Sequence, residues 1–146
     1  MSVEILARLK MKIYEQDFQL NTNRRSEMID ITSQVRSALS SSGITNGRAT
    51  VFCPHTTAAI TINENADPDV QRDMLMTLDE LFPKNRPGYN HCEGNSDSHI
   101  KASLIGASEV VLVRDKRLTL GTWQGIYFCE FDGQRTRKFI VAIEGI

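Results

Sequence analysis

The sequence predicts an α+β fold built on mostly antiparallel sheets with about three helices. Three observations carry that expectation. Stretches that alternate apolar and polar residues outnumber stretches with helical spacing. The second half runs almost strand after strand through hairpin-like connections. The order of elements (strands, helix, strands, two helices, strands) lacks the βαβ alternation of a Rossmann fold or a TIM barrel. With 146 residues the chain is long enough for one core and short for two, so a single domain over 1–146 is expected.

"VEILARLKMKIYE" alternates through Ile5, Leu9, Met11 and Ile13 and reads as a strand, with "DFQLNT" as a strand that pairs with it. A helix follows, with Thr32 or Ser33 as N-cap, Val35 and Leu39 on one face and Gly43 as its stop. "GRATVFCPH" is a strand broken at Pro54, and "TAAITINEN" continues as the next. The strongest helix signal comes after it. Asp67 caps, Pro68 suits the first position, and Val70, Met74, Leu75, Leu78, Leu81 and Phe82 recur at helical spacing until Pro83. "KNRPGYNH" is a loop, and "SDSHIKASLIGAS" is a short helix capped by Ser96 or Asp97 and ended by Gly106. "SEVVLVR", "RLTLG", "WQGIYFCEFD" and "TRKFIVAIEG" are strands, with Asp132-Gly133 as a hairpin turn between the last two.

Composition narrows the function. The chain is 40% apolar and 24% charged, as globular proteins are, and its net charge of −1 gives no broad field for nucleic acid or anionic lipid. No apolar run approaches the roughly 20 residues of a membrane-spanning helix, and the first residues lack the apolar core of a secretory signal, so neither a nucleic-acid nor a membrane partner is expected and a cytoplasmic location is. Cys53, Cys92 and Cys129 are an odd number at wide spacing, neither a disulfide framework nor a CxxC site. Burial is expected for Cys53 and Cys129. Cys92, in a loop beside a histidine, is a weaker candidate for thiol chemistry that lacks a resolving partner.

Chemistry-bearing residues gather in three stretches. His55 follows Pro54 and precedes Thr56 and Thr57, a turn whose hydroxyls and N–H groups suit an anion, or else a histidine bonded at a strand bend. "NENADPD" supplies Asn63 and Glu64. Glu64 has no capping duty and is a candidate base or metal ligand, and Asp73 lies a helical turn beyond Asp69. "YNHCEGNSDSHIK" (89–101) brings His91, Glu93, Asp97 and His99 together. Imidazoles suit first-row transition metals, and three would satisfy a catalytic zinc, although this spacing matches no named zinc signature. Trp123 and Gln124 lie between Gly121 and Gly125 and suit a pocket wall or a packed core. Arg135, Arg137 and Lys138 form a small basic cluster, fit for phosphate or for a solvated edge.

The blocks "HTTAAITINENADPDVQRDM", "YNHCEGNSDSHIKASLIG" and "LGTWQGIYFCEFDGQRTRKFIVAIEG" resemble, in order, those of the YjbQ-like family, a group of small proteins long regarded as uncharacterised. The resemblance spans the chain, most specifically from His55 onward. It implies a β-sandwich-like arrangement of mixed sheets, a homotrimer with a polar cleft near the subunit contact, and a weak thiamine-phosphate-synthase activity. The matching positions are His55, Thr56, Thr57, Asn63, Glu64, Asp67, Pro68 and Asp73, then His91, Glu93, Gly94, Asp97, His99 and Lys101, then Gly121, Thr122, Trp123, Gln124, Glu130 and Arg137. Asn95 stands where a small residue such as alanine is expected in some relatives.

The expected site therefore has His55, His91 and His99 as metal ligands and Glu64, Asp73, Glu93 and Asp97 as catalytic carboxylates. Thr56, Thr57, Asn63, Lys101, Trp123, Gln124 and Arg137 would meet the substrate. The cofactor is a divalent metal, Zn²⁺ favoured by the imidazoles and Mg²⁺ possible through the carboxylates. The expected partners are further copies in a homotrimer and a small phosphorylated metabolite or anion. Synthase-type transfer, a zinc-dependent hydrolase and a non-catalytic metabolite- or metal-binding module remain the alternatives.

Overall fold

The computed structural model describes residues 10–146. Eight strands and three helices follow in the order β1 Lys12–Asn21, β2 Glu27–Asp30, α1 Thr32–Ser42, β3 Gly47–Phe52, β4 Ala58–Glu64, α2 Pro68–Leu81, α3 Ser96–Ile105, β5 Ser108–Arg114, β6 Arg117–Leu118, β7 Gln124–Glu130 and β8 Thr136–Gly145. A five-stranded sheet has the order β1-β8-β3-β5-β6 and a three-stranded sheet the order β2-β7-β4, and every described pairing is antiparallel. The fold is α+β, as the alternation predicts.

The main core lies between the sheets. Ala49, Val51, Val111, Val113, Phe139, Val141 and Ile143 on one side meet Ala58, Ile60, Ile126 and Phe128 on the other, and α1 closes one end with Val35, Ala38 and Leu39. Strand residues of opposite parity face away from this core. On the three-stranded sheet those are Ala59, Tyr127 and Cys129, which a second cluster covers with Leu75 and Leu78 of α2 and Ala102 and Ile105 of α3. β7 is therefore buried on both faces, which explains its unbroken apolar run. The outer face of the five-stranded sheet has no described helix upon it, and Phe52, Val110 and Leu112 stand exposed there.

Several local expectations change. "DFQLNT" is not a second strand: residues 12–21 form one strand paired with β8, while residues 3–9 of the expected first strand lie outside the described residues. Asp132-Gly133 does not close a hairpin, because β7 and β8 belong to different sheets and the turn carries the chain across the sandwich. A Cβ on Gly133 would stand 2.2 Å from the Arg24 carbonyl oxygen, so glycine here serves a close backbone approach. β2 was not anticipated, since four residues carry too little periodicity. "RLTLG" yields only Arg117–Leu118 as strand.

The helix caps also shift. Thr32 opens α1 after Ile31. Its N–H is taken by Asp30 Oδ1 at 2.9 Å, and its hydroxyl accepts the Ile126 N–H. Asn95, with no side-chain cap bond, precedes α3. Gly43 ends α1 in the left-handed region at φ 65°, and Asp67 accepts the Asp69 N–H at the start of α2, both as expected. No residue of α2 is fully buried, despite its apolar stripe. No helix among the described residues is long and apolar enough to cross a membrane.

Candidate functional site

All three histidines line one cavity of about 420 Å³, together with Pro54, Thr56, Thr57, Glu93, Asn95, Asp132, Arg135 and Arg137. Four segments build it: the β3–β4 turn, the loop before α3, the first turn of α3, and the crossover from β7 into β8.

His55 is fixed by a gap in the sheet. β3 pairs with β8 as far as Phe52 opposite Ile140, and two residues further Pro54 has no N–H to continue the ladder toward Lys138. The imidazole fills that place, with Nε2 3.0 Å from the Lys138 N and 3.1 Å from its carbonyl oxygen. Burial and the nearby Arg137 charge hold its pKa below the usual value, so the ring is neutral near pH 7. Nε2 either accepts the Lys138 N–H or donates to its carbonyl, according to the tautomer; in the Nε2–H form Nδ1 keeps the free lone pair through which histidine ligates a metal.

His91 and His99 stand edge to face with centroids 5.3 Å apart, and Glu93 Oε2 is 4.0 Å from His91 Nε2. Among the described residues no three His, Cys, Asp or Glu side chains are gathered closely enough to enclose a metal ion. The histidines thus act as a close pair with His55 on the same cavity wall.

Beneath the cavity lies a buried ion pair. Arg137 donates from Nε and Nη2 to the two oxygens of Glu130 at 2.7 and 2.6 Å, and from Nη2 to the Thr57 hydroxyl at 2.8 Å. Thr22 donates to the same carboxylate at 3.0 Å. Arg137 is therefore anchored, with its guanidinium forming part of the cavity floor. Arg135 donates to Asp132, which in turn accepts from Asn95 Nδ2 at 2.8 Å. Asn95 Oδ1 is buried without a partner, and so is the Tyr89 hydroxyl, which lines the adjoining hollow shared by His91 and His99. An unpartnered buried acceptor costs about 1–3 kcal/mol, so Asn95 Oδ1 is ready to receive a donor.

Other expected residues lie elsewhere. Asp97 is fully buried: burial alone would raise its pKa, but hydrogen bonds from Arg25 and Lys101 outweigh this and hold it below the ordinary value. Arg25 reaches both Asp97 oxygens at 2.9 and 3.0 Å, and Lys101 Nζ stands 3.2 Å from Asp97 and 2.5 Å from Asp79. Asp97 and Lys101 are thus occupied with each other rather than facing the cavity. Asn63 and Glu64 close β4 at its far end, about 20 Å along the strand from the Thr57 end at ~3.3 Å per residue. Gln124 pairs with Glu64 there, Trp123 beside it is 62% exposed, and Asp73 lies on the exposed side of α2. The expected residues therefore divide into a cavity group and a far-end group.

The cysteines separate as expected. Burial pushes the Cys53 thiol up to about 11 and the Cys129 thiol up to about 12, while Cys92 is exposed. With both others buried and protonated, Cys92 has no thiol at hand to resolve it.

Residues 16–146 match the model of the family described as UPF0047 protein YjbQ-like. The chain belongs to the YjbQ-like UPF0047 family. Among its YjbQ-like relatives, the UPF0047 protein YugU of Bacillus subtilis is 56% identical over 87% of this chain and 96% of its own length. A UPF0047 protein of Methanocaldococcus jannaschii is 52% identical over 88% of this chain and 92% of its own. An uncharacterised YjbQ/UPF0047 protein of Clostridium acetobutylicum superposes with a TM-score of 0.86 at 56% identity, covering 88% of this chain and 98% of that one. A YjbQ-like protein of unknown function from Sulfolobus solfataricus reaches 0.90 at 37% identity, covering 94% and 100%. The YjbQ-like sandwich is thus shared between bacterial and archaeal members.

Proposed function

We propose that this protein is a homotrimer whose polar cavity binds a divalent metal ion and a small phosphorylated molecule. The observation that carries the reading is the convergence of His55, His91 and His99, from three separate segments, on one cavity that also holds Arg135 and Arg137. Imidazole donors favour zinc over magnesium, and two rings on one tetrahedral zinc with bonds of about 2.0–2.1 Å have centroids roughly 5 Å apart, close to the His91–His99 spacing. His91 and His99 would hold the ion, with water or a ligand atom completing the set. The metal would supply Lewis acidity and an acidified water. Glu93, in reach of His91 and open to the cavity, is the carboxylate placed to take a proton. Arg135, Arg137 and Thr56 form the wall that would meet phosphate oxygens.

The homotrimer accounts for the far-end group. Trp123, beside Gln124 and Glu64, is 62% exposed, and a shared site would bring this end of one copy to the cavity of the next. The exposed apolar outer face of the five-stranded sheet offers area for such contacts. Thiamine-phosphate-synthase chemistry, which needs a diphosphate leaving group held by metal and cations, draws less support from one chain. Asp97 is committed to Arg25 and Lys101, and Glu64 and Asp73 stand apart from the cavity.

Elemental analysis of untagged protein tests the metal. The expected result is near-stoichiometric metal, lost in both His91→Ala and His99→Ala. A wild-type protein that neither carries nor takes up zinc in a calorimetric titration would reject the metal part of the reading.

A further inference from the structure

At the opposite end of the sandwich lies a hollow of about 530 Å³, between the C-terminal half of α1 and the β5–β6 turn. It shares no lining residue with the histidine cavity. Its walls carry Arg36 from α1 and Lys116 and Arg117 from the turn, with Leu39, Ile44 and Leu118 as the apolar part of the lining. No acidic residue lines it, and Asp115, the acid of the same turn, is not part of its wall. None of the three cations forms an ion pair among the described residues, although Arg25, Arg48, Lys101, Arg135 and Arg137 all do.

The turn that presents two of these cations is held in place. Asp115 and Lys116 occupy left-handed backbone at φ 50° and 62°, a region that costs non-glycine residues about 1–2 kcal/mol each. The Lys116 N–H donates to the Thr45 carbonyl at 2.9 Å and the Asp115 N–H to Asn46 Oδ1 at 3.1 Å, so the loop after α1 fixes the turn against the helix end. Three positive charges without an ion-pair partner around one hollow, on a chain of net charge −1, make a local positive field.

We infer that this hollow is a second binding site, specific for a small molecule bearing a diphosphate group. A diphosphate carries about three negative charges near neutral pH, matching the three cations, and both arginines offer planar forks to phosphate oxygens. The volume falls within the 300–1,000 Å³ of ordinary ligand pockets, so it accepts an organic diphosphate as well as the inorganic ion.

Calorimetric titration of the full-length protein with inorganic pyrophosphate, and separately with a nucleoside diphosphate, at low salt and without divalent metal tests the inference. One saturable site per chain is expected. Its affinity should fall at least tenfold in Arg36→Glu and in Lys116→Glu, whose side chains are exposed and whose folding circular dichroism checks, and should be unchanged in His91→Ala. Tighter binding of the nucleoside compound identifies an organic diphosphate as the ligand, and equal binding identifies the diphosphate group alone. Absence of saturable binding overturns the site. So does binding that survives both charge reversals, or binding that disappears in His91→Ala and so belongs to the histidine cavity.

Discussion

Glu130 and Arg137 sit on strands of different sheets, seven residues apart in sequence, and join across the sandwich in a dry environment. Removing one member leaves the other charge buried and unpaired, which typically costs about 3–5 kcal/mol. Glu130→Gln and Arg137→Met are each expected to lower the unfolding free energy from urea denaturation by that order, and Arg137→Lys to recover little, because an ammonium cannot make the two-pronged contact. Asp97 makes a prediction in pH. Its folded pKa lies below the ordinary 3.8, so it stabilises the fold above that value and the contribution is lost as pH falls through the lower, folded pKa. Denaturation midpoints of wild type should drop on acidification in that window, and those of Asp97→Asn, already low, should lose less. The Asp97 position in a motif-like stretch was plain from sequence, but its commitment to Arg25 was not: the partner lies 72 residues away and "NRRSEM" carries no sign of it.

At the level of elements, short-range chemistry was legible. Asp67 and Pro68 start α2 where capping rules place it, and Asp67→Ala is expected to cost about 1 kcal/mol by loss of the Asp69 N–H acceptor, read by equilibrium unfolding. Pro54 ends β3 for the reason its missing N–H suggests, and that break is what seats His55 against Lys138. The same kind of reasoning misread Asp132-Gly133. Asp-Gly favours tight turns in general, and whether the strands on either side then pair depends on which sheet has room for each. Here β2 and β4 flank β7, and β1 and β3 flank β8, so neither has an open edge for the other.

The whole molecule presents two ends and one bare face. Subunit mixing tests the shared-site reading. His99→Ala and Glu64→Ala proteins, each deficient in ligand binding alone, are expected to regain partial binding when unfolded and refolded together, because some sites then draw a cavity and a far end from intact sources. No recovery above the separate variants would place the site within one chain. If Val110 and Leu112 lie in the contact between copies, Leu112→Arg should lower the mass in sedimentation equilibrium toward that of a single chain.

The sequence by itself determined the α+β class, most strands, all three helices, the buried Cys53 and Cys129 and the residue types of the site, because periodicity, capping and turn chemistry act within a few residues. Tertiary structure alone decided that β7 and β8 part company, that Asp97 and Lys101 are consumed by ion pairs, and that His55 shares a cavity with His91 and His99 while Glu64 does not. Those outcomes rest on contacts between residues tens of positions apart, where strand order and sheet packing set the distance and local pattern carries no trace of it.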